Sequence, residues 1–206
     1  MKLCVFDFDS TLMDGETIDF LATEAGVKKE VAIITKRAMA GEIDFFESLR
    51  ERVSLLKGMD VEKVNEICRN LPYTNGAKEI IAKLKSKNYK VVVFSGGFIN
   101  ATNHAKNILE YDASFSNILH STDGKLSGLV GGDMMFGFSK GDMLQKIQIL
   151  LNISYSDTIV VGDGANDLSM FQYAKQKVAF CANEVLKKEA NIIINSKDLN
   201  LLGKYL

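Results

Sequence analysis

The chain has 206 residues, of which 47% are hydrophobic and 25% are charged, and its net charge at pH 7 is −1. This length is enough for one well-packed domain, or for a core with a small inserted subdomain. A chain so close to neutral has no basic surface that would attract nucleic acid or an anionic membrane. We therefore expect neither as a partner.

The cysteines indicate the cellular compartment. The three residues Cys4, Cys68 and Cys181 lie far apart and form no CxxC pair, so the sequence gives no disulfide or zinc framework. The apolar run before Asp7 is too short for a signal peptide, and no run approaches the roughly 18 apolar residues that span a bilayer. We expect a cytoplasmic protein in a reducing environment.

The predicted elements alternate between strands and helices for most of the chain. Continuous apolar runs rich in valine and isoleucine predict strands that are covered on both faces, at 2–6, 90–94, 157–162, 177–180 and 191–195. Helices are predicted between them at 76–88, 98–110, 139–151 and 166–174. Repeated alternation of this kind predicts an α/β fold with a doubly wound parallel sheet.

Two segments interrupt this alternation. Residues 14–72 contain helix-period patterns but no convincing strand, and they are too many for a simple crossover. We predict that 14–72 forms an inserted helical cap, and that 1–13 and 73–206 form the core. The segment 117–136 contains the turn dipeptide Asp123-Gly124, which predicts a small β-hairpin that protrudes from the core as a flap.

Polar residues follow three of the predicted strands. Ligands bind beyond the carboxyl ends of the strands in an open parallel sheet, and these ends carry Asp7 with Asp9, then Ser95 with Gly96 and Gly97, then Asp163 with Asp167; Lys140 opens the helix before the last of these strands. Four clustered carboxylates repel one another unless a cation neutralises them. Because the ligands would be oxygen atoms alone, the sequence predicts Mg²⁺.

The other polar groups suit a phosphoryl group. Lys140 would place a positive charge near phosphate oxygens, Ser95 would donate from its hydroxyl, and the two glycines would let backbone N–H groups approach an anion. A carboxylate can attack phosphorus, and a second acid can protonate the leaving alkoxide. Each motif alone is typical of an ordinary turn or a surface lysine. Their shared position at strand ends carries the prediction.

The motifs "FDFDST", "SGG", Lys140 and "VGDGAND", together with the segment after the first strand, resemble the haloacid dehalogenase-like phosphatase superfamily over essentially the whole chain. Three further stretches are more specific, namely "DGETIDFLA" (14–22), "AMAGEIDFFESLRERVSLLKG" (38–58) and "GGDMMFGFSKGDML" (131–144). They are similar to members that act on O-phospho-L-serine. The resemblance implies the core and helical cap of that superfamily.

The resemblance also implies a role for each matching residue. The nucleophile would be Asp7 and the general acid/base Asp9. Mg²⁺ would be held by the carboxylates of Asp7 and Asp163 and the backbone carbonyl of Asp9, while Asp167 would support the metal's water shell and orient Lys140. The phosphoryl group would be bound by Ser95, Gly96 and Lys140, with Asn166 nearby. The serine portion would meet Glu16 through its ammonium, Arg52 through its carboxylate, and Met39, Phe45 and Gly97 around it.

The cap residues also have simpler interpretations. Arg52 shares a helix face with apolar residues, where a snorkelling arginine is the ordinary explanation, although a guanidinium is the best match to a planar carboxylate. Glu16 is also typical of a first helical turn, and Met39 and Phe45 at helical spacing are typical of a core. For these positions the functional interpretation rests on the resemblance.

The sequence therefore predicts a Mg²⁺-dependent hydrolase that converts O-phospho-L-serine to L-serine and phosphate through an aspartyl-phosphate, as the last step of serine biosynthesis, acting as a monomer or homodimer. An alternative is a related phosphatase or phosphotransferase that uses another small phosphomonoester, such as phosphoethanolamine, or transfers the group to homoserine. A signalling receiver also has an acidic Mg²⁺ pocket, but receivers are shorter and have no cap.

Overall fold

The computed structural model describes all 206 residues and contains seven strands and nine helices. The strands are β1 Lys2–Asp7, β2 Tyr89–Phe98, β3 Ala113–Thr122, β4 Lys125–Gly132, β5 Thr158–Gly162, β6 Gln176–Phe180 and β7 Ile192–Ile194. The helices are α1 Thr17–Glu24, α2 Lys28–Met39, α3 Phe45–Ser54, α4 Val61–Arg69, α5 Ala77–Ser86, α6 Ile99–Leu109, α7 Ser139–Leu151, α8 Leu168–Phe171 and α9 Glu184–Glu189. None of these helices is long and apolar enough to cross a membrane.

The strands form one sheet in the order β4-β3-β2-β1-β5-β6-β7. All neighbouring strands are parallel except β3 and β4, which are antiparallel. The chain builds outward from β1 to β2 and β3 on one side, and returns to the other side of β1 for β5. The carboxyl end of β1 is therefore the switch point of the sheet, where a ligand crevice is expected. The predicted α/β fold is confirmed.

The central strand is buried on both faces. Leu3 and Val5 belong to one apolar cluster and Cys4 and Phe6 to another, and all four are fully buried. Successive side chains of a strand point to opposite faces, so this division means that helices cover both sides of the sheet. A continuous apolar run in place of an alternating one follows from that double burial.

Four helices, α1 to α4, lie within 14–72. Two hydrogen bonds join the ends of this segment at 12–14 and 72–74: the Asp14 N–H donates to the Pro72 carbonyl and the Thr74 N–H donates to the Leu12 carbonyl, both at 2.9 Å. The helices share the larger apolar cluster with the sheet through residues such as Leu49. The helical content agrees with the expectation for a cap, and the division into cap and core stays a prediction.

The hairpin differs from the prediction in its start and its surroundings. β3 begins at Ala113 and first pairs with β2 as a parallel strand of the main sheet; only its later part pairs with β4. The hairpin does not protrude freely, because Leu126 exchanges backbone hydrogen bonds of 2.8 Å with Gly58 and Met59 beyond α3. The hairpin and its turn at Asp123-Gly124 are confirmed, but its earlier start was missed because "ASFSN" has no apolar run. Likewise, the helix expected at 166–174 is only α8, preceded by a 3₁₀ turn.

Candidate active site

Asp7 and Asp9 reach the same region because the chain leaves strand geometry between them. Asp7 is the last residue of β1 and is 3% exposed. A single wide turn follows at Phe8–Leu12, in which Ser10 has a φ of 58°. The Ser10 N–H donates to the Gly15 carbonyl at 2.8 Å, which closes the loop. In a regular strand the two carboxylates would also point to one face of the sheet, but Asp9 would lie two residues farther along the strand from Asp7. The turn brings Asp9 back toward Asp7.

Lys140 lies at the start of α7 and is buried between two carboxylates. Its Nζ donates to Asp7 Oδ1 and to Asp167 Oδ1, the latter at 2.6 Å. The second oxygen of Asp167 accepts from the backbone N–H groups of Asp163 and Gly164, each at 3.0 Å. Asp167 therefore fixes the loop after β5 to Lys140, as the orienting role predicted for it requires.

Burial raises the proton affinity of the acids in this cluster. The pKa of Asp7 is well above its usual value because the group is buried, and the charge of Lys140 only partly opposes this. Burial, together with the charge of Asp167, raises the pKa of Asp163 to about 7. Burial disfavours the charge of Lys140, but Asp167 and Asp7 outweigh that and hold its pKa above the usual value. One lysine does not balance the charge of these buried acids when they are ionised, so a further cation would stabilise the site.

The free oxygens of the cluster fit a metal ion. Carboxylate oxygens of Asp7, Asp163 and Asp167 lie within 4.8 Å of one another. Both oxygens of Asp167 already accept hydrogen bonds, whereas the Asp163 carboxylate and Asp7 Oδ2 accept none from the protein. Carboxylate oxygens without donors, here on two residues with raised pKa values, are suitable ligands for a hard cation. The cluster thus suggests a metal-binding site.

Asp9 is held from two sides. Its Oδ1 accepts from the Thr17 N–H at 2.6 Å and from the Thr17 hydroxyl at 2.5 Å, and its Oδ2 accepts from the Ser95 hydroxyl at 3.0 Å. The Gly97 N–H donates to that same hydroxyl at 2.9 Å. A Cβ at Gly97 would lie 2.6 Å from Asp9 Oδ2, so only glycine allows this approach.

Phe45 and Asn166 both lie close to Gly96. A Cβ at Gly96 would be 2.8 Å from Phe45 Cζ and 3.9 Å from Asn166 Nδ2. Phe45 opens α3 and Asn166 lies in the 3₁₀ turn after β5. The structure thus brings a residue of the helical segment onto the loop that carries Ser95.

Glu16 and Arg52 are an acidic and a basic residue near Asp9. Glu16 accepts from the Ser10 hydroxyl at 2.6 Å, and burial, followed by the negative charge of Asp9, raises its pKa to about 8. Burial lowers the pKa of Arg52, while Glu16, Asp19 and Asp9 oppose that shift. Arg52 Nε donates to the Ser48 carbonyl at 3.2 Å, and its guanidinium forms no ion pair within 4.0 Å in the protein.

Met39 is not brought to this cluster. It ends α2 and is 82% exposed, whereas every other predicted site residue is buried or partly buried. Its place in the substrate pocket is unsupported by this structure, in which the end of α2 faces solvent.

Sequence reasoning missed three residues that organise the site. Thr17 binds Asp9, Ser10 binds Glu16, and the buried Asn117 donates to the Gly96 carbonyl at 3.0 Å. Thr17 and Ser10 adjoin the predicted motifs, and a hydroxyl at a helix start is a signal that could have been used. Asn117 has no such signal, because its contact depends on the pairing of β2 with β3.

Comparisons with known proteins agree with this geometry. The model of the haloacid dehalogenase-like hydrolase family matches residues 1–175. A phosphoserine phosphatase of Wolinella succinogenes is 63% identical over 206 residues, covering all of both chains. One of Methanocaldococcus jannaschii is 49% identical over 205 residues, covering 100% of this chain and 97% of that one. A solved phospho-aspartyl intermediate analogue of phosphoserine phosphatase superposes with a TM-score of 0.95 at 49% identity, covering 100% of this chain and 98% of that one. A substrate-bound phosphoserine phosphatase complex superposes equally well, also with a TM-score of 0.95.

Proposed function

The chain belongs to the haloacid dehalogenase-like hydrolase family, and from this membership we propose that it hydrolyses O-phospho-L-serine to L-serine and phosphate. The observation that carries the proposal is the pair Glu16 and Arg52, an acidic and a basic residue of the helical segment, of which Glu16 is bound to Ser10 beside Asp9. An ester of an amino acid has an ammonium and a carboxylate to match them. The full-length similarity to phosphoserine phosphatases supports the same substrate.

Asp7 is the proposed nucleophile. Lys140 engages its Oδ1, and the carboxylate has a second oxygen, so one oxygen can face the metal while the other attacks phosphorus. The new bond joins this oxygen to phosphorus while the bond from phosphorus to the serine oxygen breaks, which gives an aspartyl-phosphate. Splitting the displacement into two steps in this way lowers the barrier of each.

Asp9 is the proposed general acid and base. In the first step it gives a proton to the departing serine oxygen. In the second step it takes a proton from the water that attacks phosphorus, and the bond between phosphorus and the Asp7 oxygen breaks to release phosphate. Thr17 and Ser95 hold its two oxygens from opposite sides, which keeps the group oriented for both transfers.

The phosphoryl group is proposed to lie between Lys140, the Ser95 hydroxyl and the backbone at Gly96, with Asn166 nearby. We propose Mg²⁺ as the metal, held by the carboxylates of Asp7 and Asp163 and the carbonyl of Asp9. When bound, it would offset the negative charge of the acids and of the phosphoryl oxygens. Asp167 would support its water shell.

Specificity is proposed to come from the cap, residues 14–72, acting on a core of 1–13 and 73–206. Arg52 would bind the substrate carboxylate, Glu16 its ammonium, and Phe45 and Gly97 the carbon chain between them; Met39 could contribute only if the end of α2 moves inward. Closure of the cap would exclude water from the phosphoryl site. This activity would be the last step of serine biosynthesis, in the cytoplasm, where the three free thiols stay reduced. A monomer or homodimer would suffice for it.

A direct assay tests the substrate. Phosphate release from O-phospho-L-serine is measured with Mg²⁺ and with excess chelator, beside phosphoethanolamine and a simple aryl phosphate. We expect sustained turnover that prefers phosphoserine and requires the metal. Turnover of the aryl ester alone would indicate a phosphatase with another substrate. A single turnover that stops at a stable phosphoprotein would indicate a signalling receiver.

A variant separates the carboxylate-bearing substrate from its rivals. Arg52→Ala should raise KM for phosphoserine far more than for the aryl phosphate, because only the former has a carboxylate to lose its partner. Equal losses on both esters would mean that Arg52 is structural. Adding homoserine or another alcohol to the assay and measuring its phosphorylation tests the phosphotransferase alternative.

A further inference from the structure

The loop that carries Ser95 is an interruption in the pairing of β2 with β3. Phe94 pairs with Phe115, and the next pair is Phe98 with Asn117, so three residues of β2 lie opposite only one of β3. Residues 95–97 therefore bulge out of the ladder, toward the acidic cluster. A bulge leaves backbone groups without their usual partners, and these must be satisfied in another way.

The side chain of Asn117 satisfies one of them, the Gly96 carbonyl. It is fully buried, and its Nδ2 donates to the Gly96 carbonyl at 3.0 Å and to the Met134 carbonyl at 3.1 Å. Its Oδ1 accepts from the Met134 N–H at 2.9 Å. Both amide hydrogens and the amide oxygen are thus in use, which no other side chain of this size could reproduce.

The second partner, Met134, lies in the segment that immediately precedes Lys140 and α7. The Phe136 N–H donates to the Ser139 hydroxyl at 3.1 Å, and the Ser139 N–H donates to the Phe136 carbonyl at 3.0 Å. This compact turn joins Met134 to the start of α7. One amide therefore connects the loop 95–97 to the segment that delivers the lysine.

We propose that Asn117 is a positioning residue, which fixes the distance between the phosphate-binding loop 95–97 and Lys140 by joining the Gly96 carbonyl to Met134. The inference rests on the proposed function only in that a phosphoryl group is bound there, whichever alcohol carries it. Loss of the amide frees the loop 95–97 and the segment that carries Lys140 to move apart. A bound phosphate would then contact the donors of only one of them.

The chain offers a matched control in Asn191. Its side chain is exposed and makes two such bonds to the backbone instead of three, donating to the Lys175 carbonyl at 2.7 Å and accepting from the Lys177 N–H at 2.8 Å. It lies beside the amino end of β6, at the opposite edge of the sheet from the acidic cluster. Asn191→Ala removes the same kinds of hydrogen bond without touching either phosphate-binding segment.

The experiment compares Asn117→Ala with Asn191→Ala in the full chain with Mg²⁺. The Kd of inorganic phosphate is measured by titration calorimetry, with kcat and KM for the ester that the wild type turns over best, and with the melting temperature. We expect Asn117→Ala to weaken phosphate binding and kcat/KM by about tenfold to a hundredfold, as small misplacements of catalytic groups do. Asn191→Ala should stay within about twofold of wild type.

A purely structural role would lower the melting temperature and leave the Kd of phosphate unchanged, and that result overturns the proposal. If Asn117→Ala does not fold, Asn117→Asp decides, since it keeps the size and the oxygen acceptor but loses at least one donor; wild-type phosphate affinity in that variant would equally refute the role. Phosphate binding is read without the ester. Failure of phosphoserine as substrate is therefore separate from failure of this inference.

Discussion

At the scale of single residues, Asp7 and Asp9 are neighbours with different surroundings. Asp7 is buried against Lys140, with one oxygen engaged and one free. Asp9 is partly buried, and both of its oxygens accept hydrogen bonds from hydroxyl groups. An attacking group needs a free oxygen, and a proton-transfer group needs a fixed direction. These different environments fit the different tasks proposed for the two identical side chains.

The first prediction concerns Asp7→Asn. We expect phosphate release to fall by about a thousandfold or more, because an amide cannot form the covalent intermediate. The fold should survive, since burial already raises the pKa of this group and a neutral side chain of the same shape avoids the burial of a charge. Phosphate release and a thermal melt measure the two effects. Appreciable activity with an intact fold would exclude Asp7 as nucleophile.

The second prediction concerns the pH dependence of substrate binding. The pKa of Glu16 is raised to about 8, first by burial and then by Asp9, so below that pH the group is mostly protonated and cannot attract an ammonium. We expect KM for phosphoserine to fall as pH rises from about 6.5 to 8.5, with Mg²⁺ saturating. KM for an aryl phosphate, which lacks the ammonium, should not fall with pH in this way. Glu16→Gln should abolish the pH-dependent fall of KM for phosphoserine. The same pH profile for both esters would refute the assignment.

At the scale of elements, α3 touches the core through two consecutive aromatic residues. Phe45 lies over Gly96, and Phe46 stacks on Phe136 at 5.0 Å between ring centroids. Phe136 in turn stacks on Phe138 at 5.2 Å. Phe136 and Phe138 lie in the segment between Met134 and Lys140. The first turn of α3 therefore holds the helical segment against both segments that are proposed to bind phosphate.

The third prediction follows from this stack. Phe46→Ala should lower kcat/KM for phosphoserine by about twofold to tenfold, because an aromatic pair contributes about 0.5–1.5 kcal/mol beyond area burial. Global stability should fall only modestly, since Phe46 is partly buried against the core and its stacking partner Phe136 is 44% exposed. Tyr155→Ala, at an exposed aromatic residue in the turn just before β5, is the control. An unchanged kcat/KM in Phe46→Ala would mean that the stack does not contribute to closure.

The elements also mark how far sequence reasoning reaches. The buried strands β1, β2 and β5 have continuous apolar runs, and the polar residues at their ends could be assigned to one edge from the parallel topology alone. The bulge at 95–97 could not, because it is defined by the pairing partner and not by its own residues. For the same reason Asn117 and the early start of β3 escaped prediction. Contacts that depend on register between distant segments leave no local pattern.

At the scale of the whole molecule, folding gathers carboxyl groups that are far apart in the chain. Asp163 has a pKa of about 7 in the folded protein, chiefly through burial, against about 3.9 for an unperturbed aspartate. The pKa of Asp7 is shifted in the same direction. At pH values between the unfolded and folded pKa values, the folded state binds more protons than the unfolded state. By linkage, these groups make the metal-free protein less stable as pH rises from about 4 to about 7.

The fourth prediction uses that window. With chelator present, the melting temperature should fall from pH 5 to pH 8. Saturating Mg²⁺ should raise it by about 5–10 °C at pH 8, as expected for a ligand at roughly a hundred times its Kd in a chain of this length, and by much less at pH 5, where protons compete for the same oxygens. Asp163→Asn should weaken both trends, because it removes a titrating group and a metal ligand together. A Mg²⁺ effect of equal size at the two pH values would mean that the ion binds elsewhere than among these buried acids.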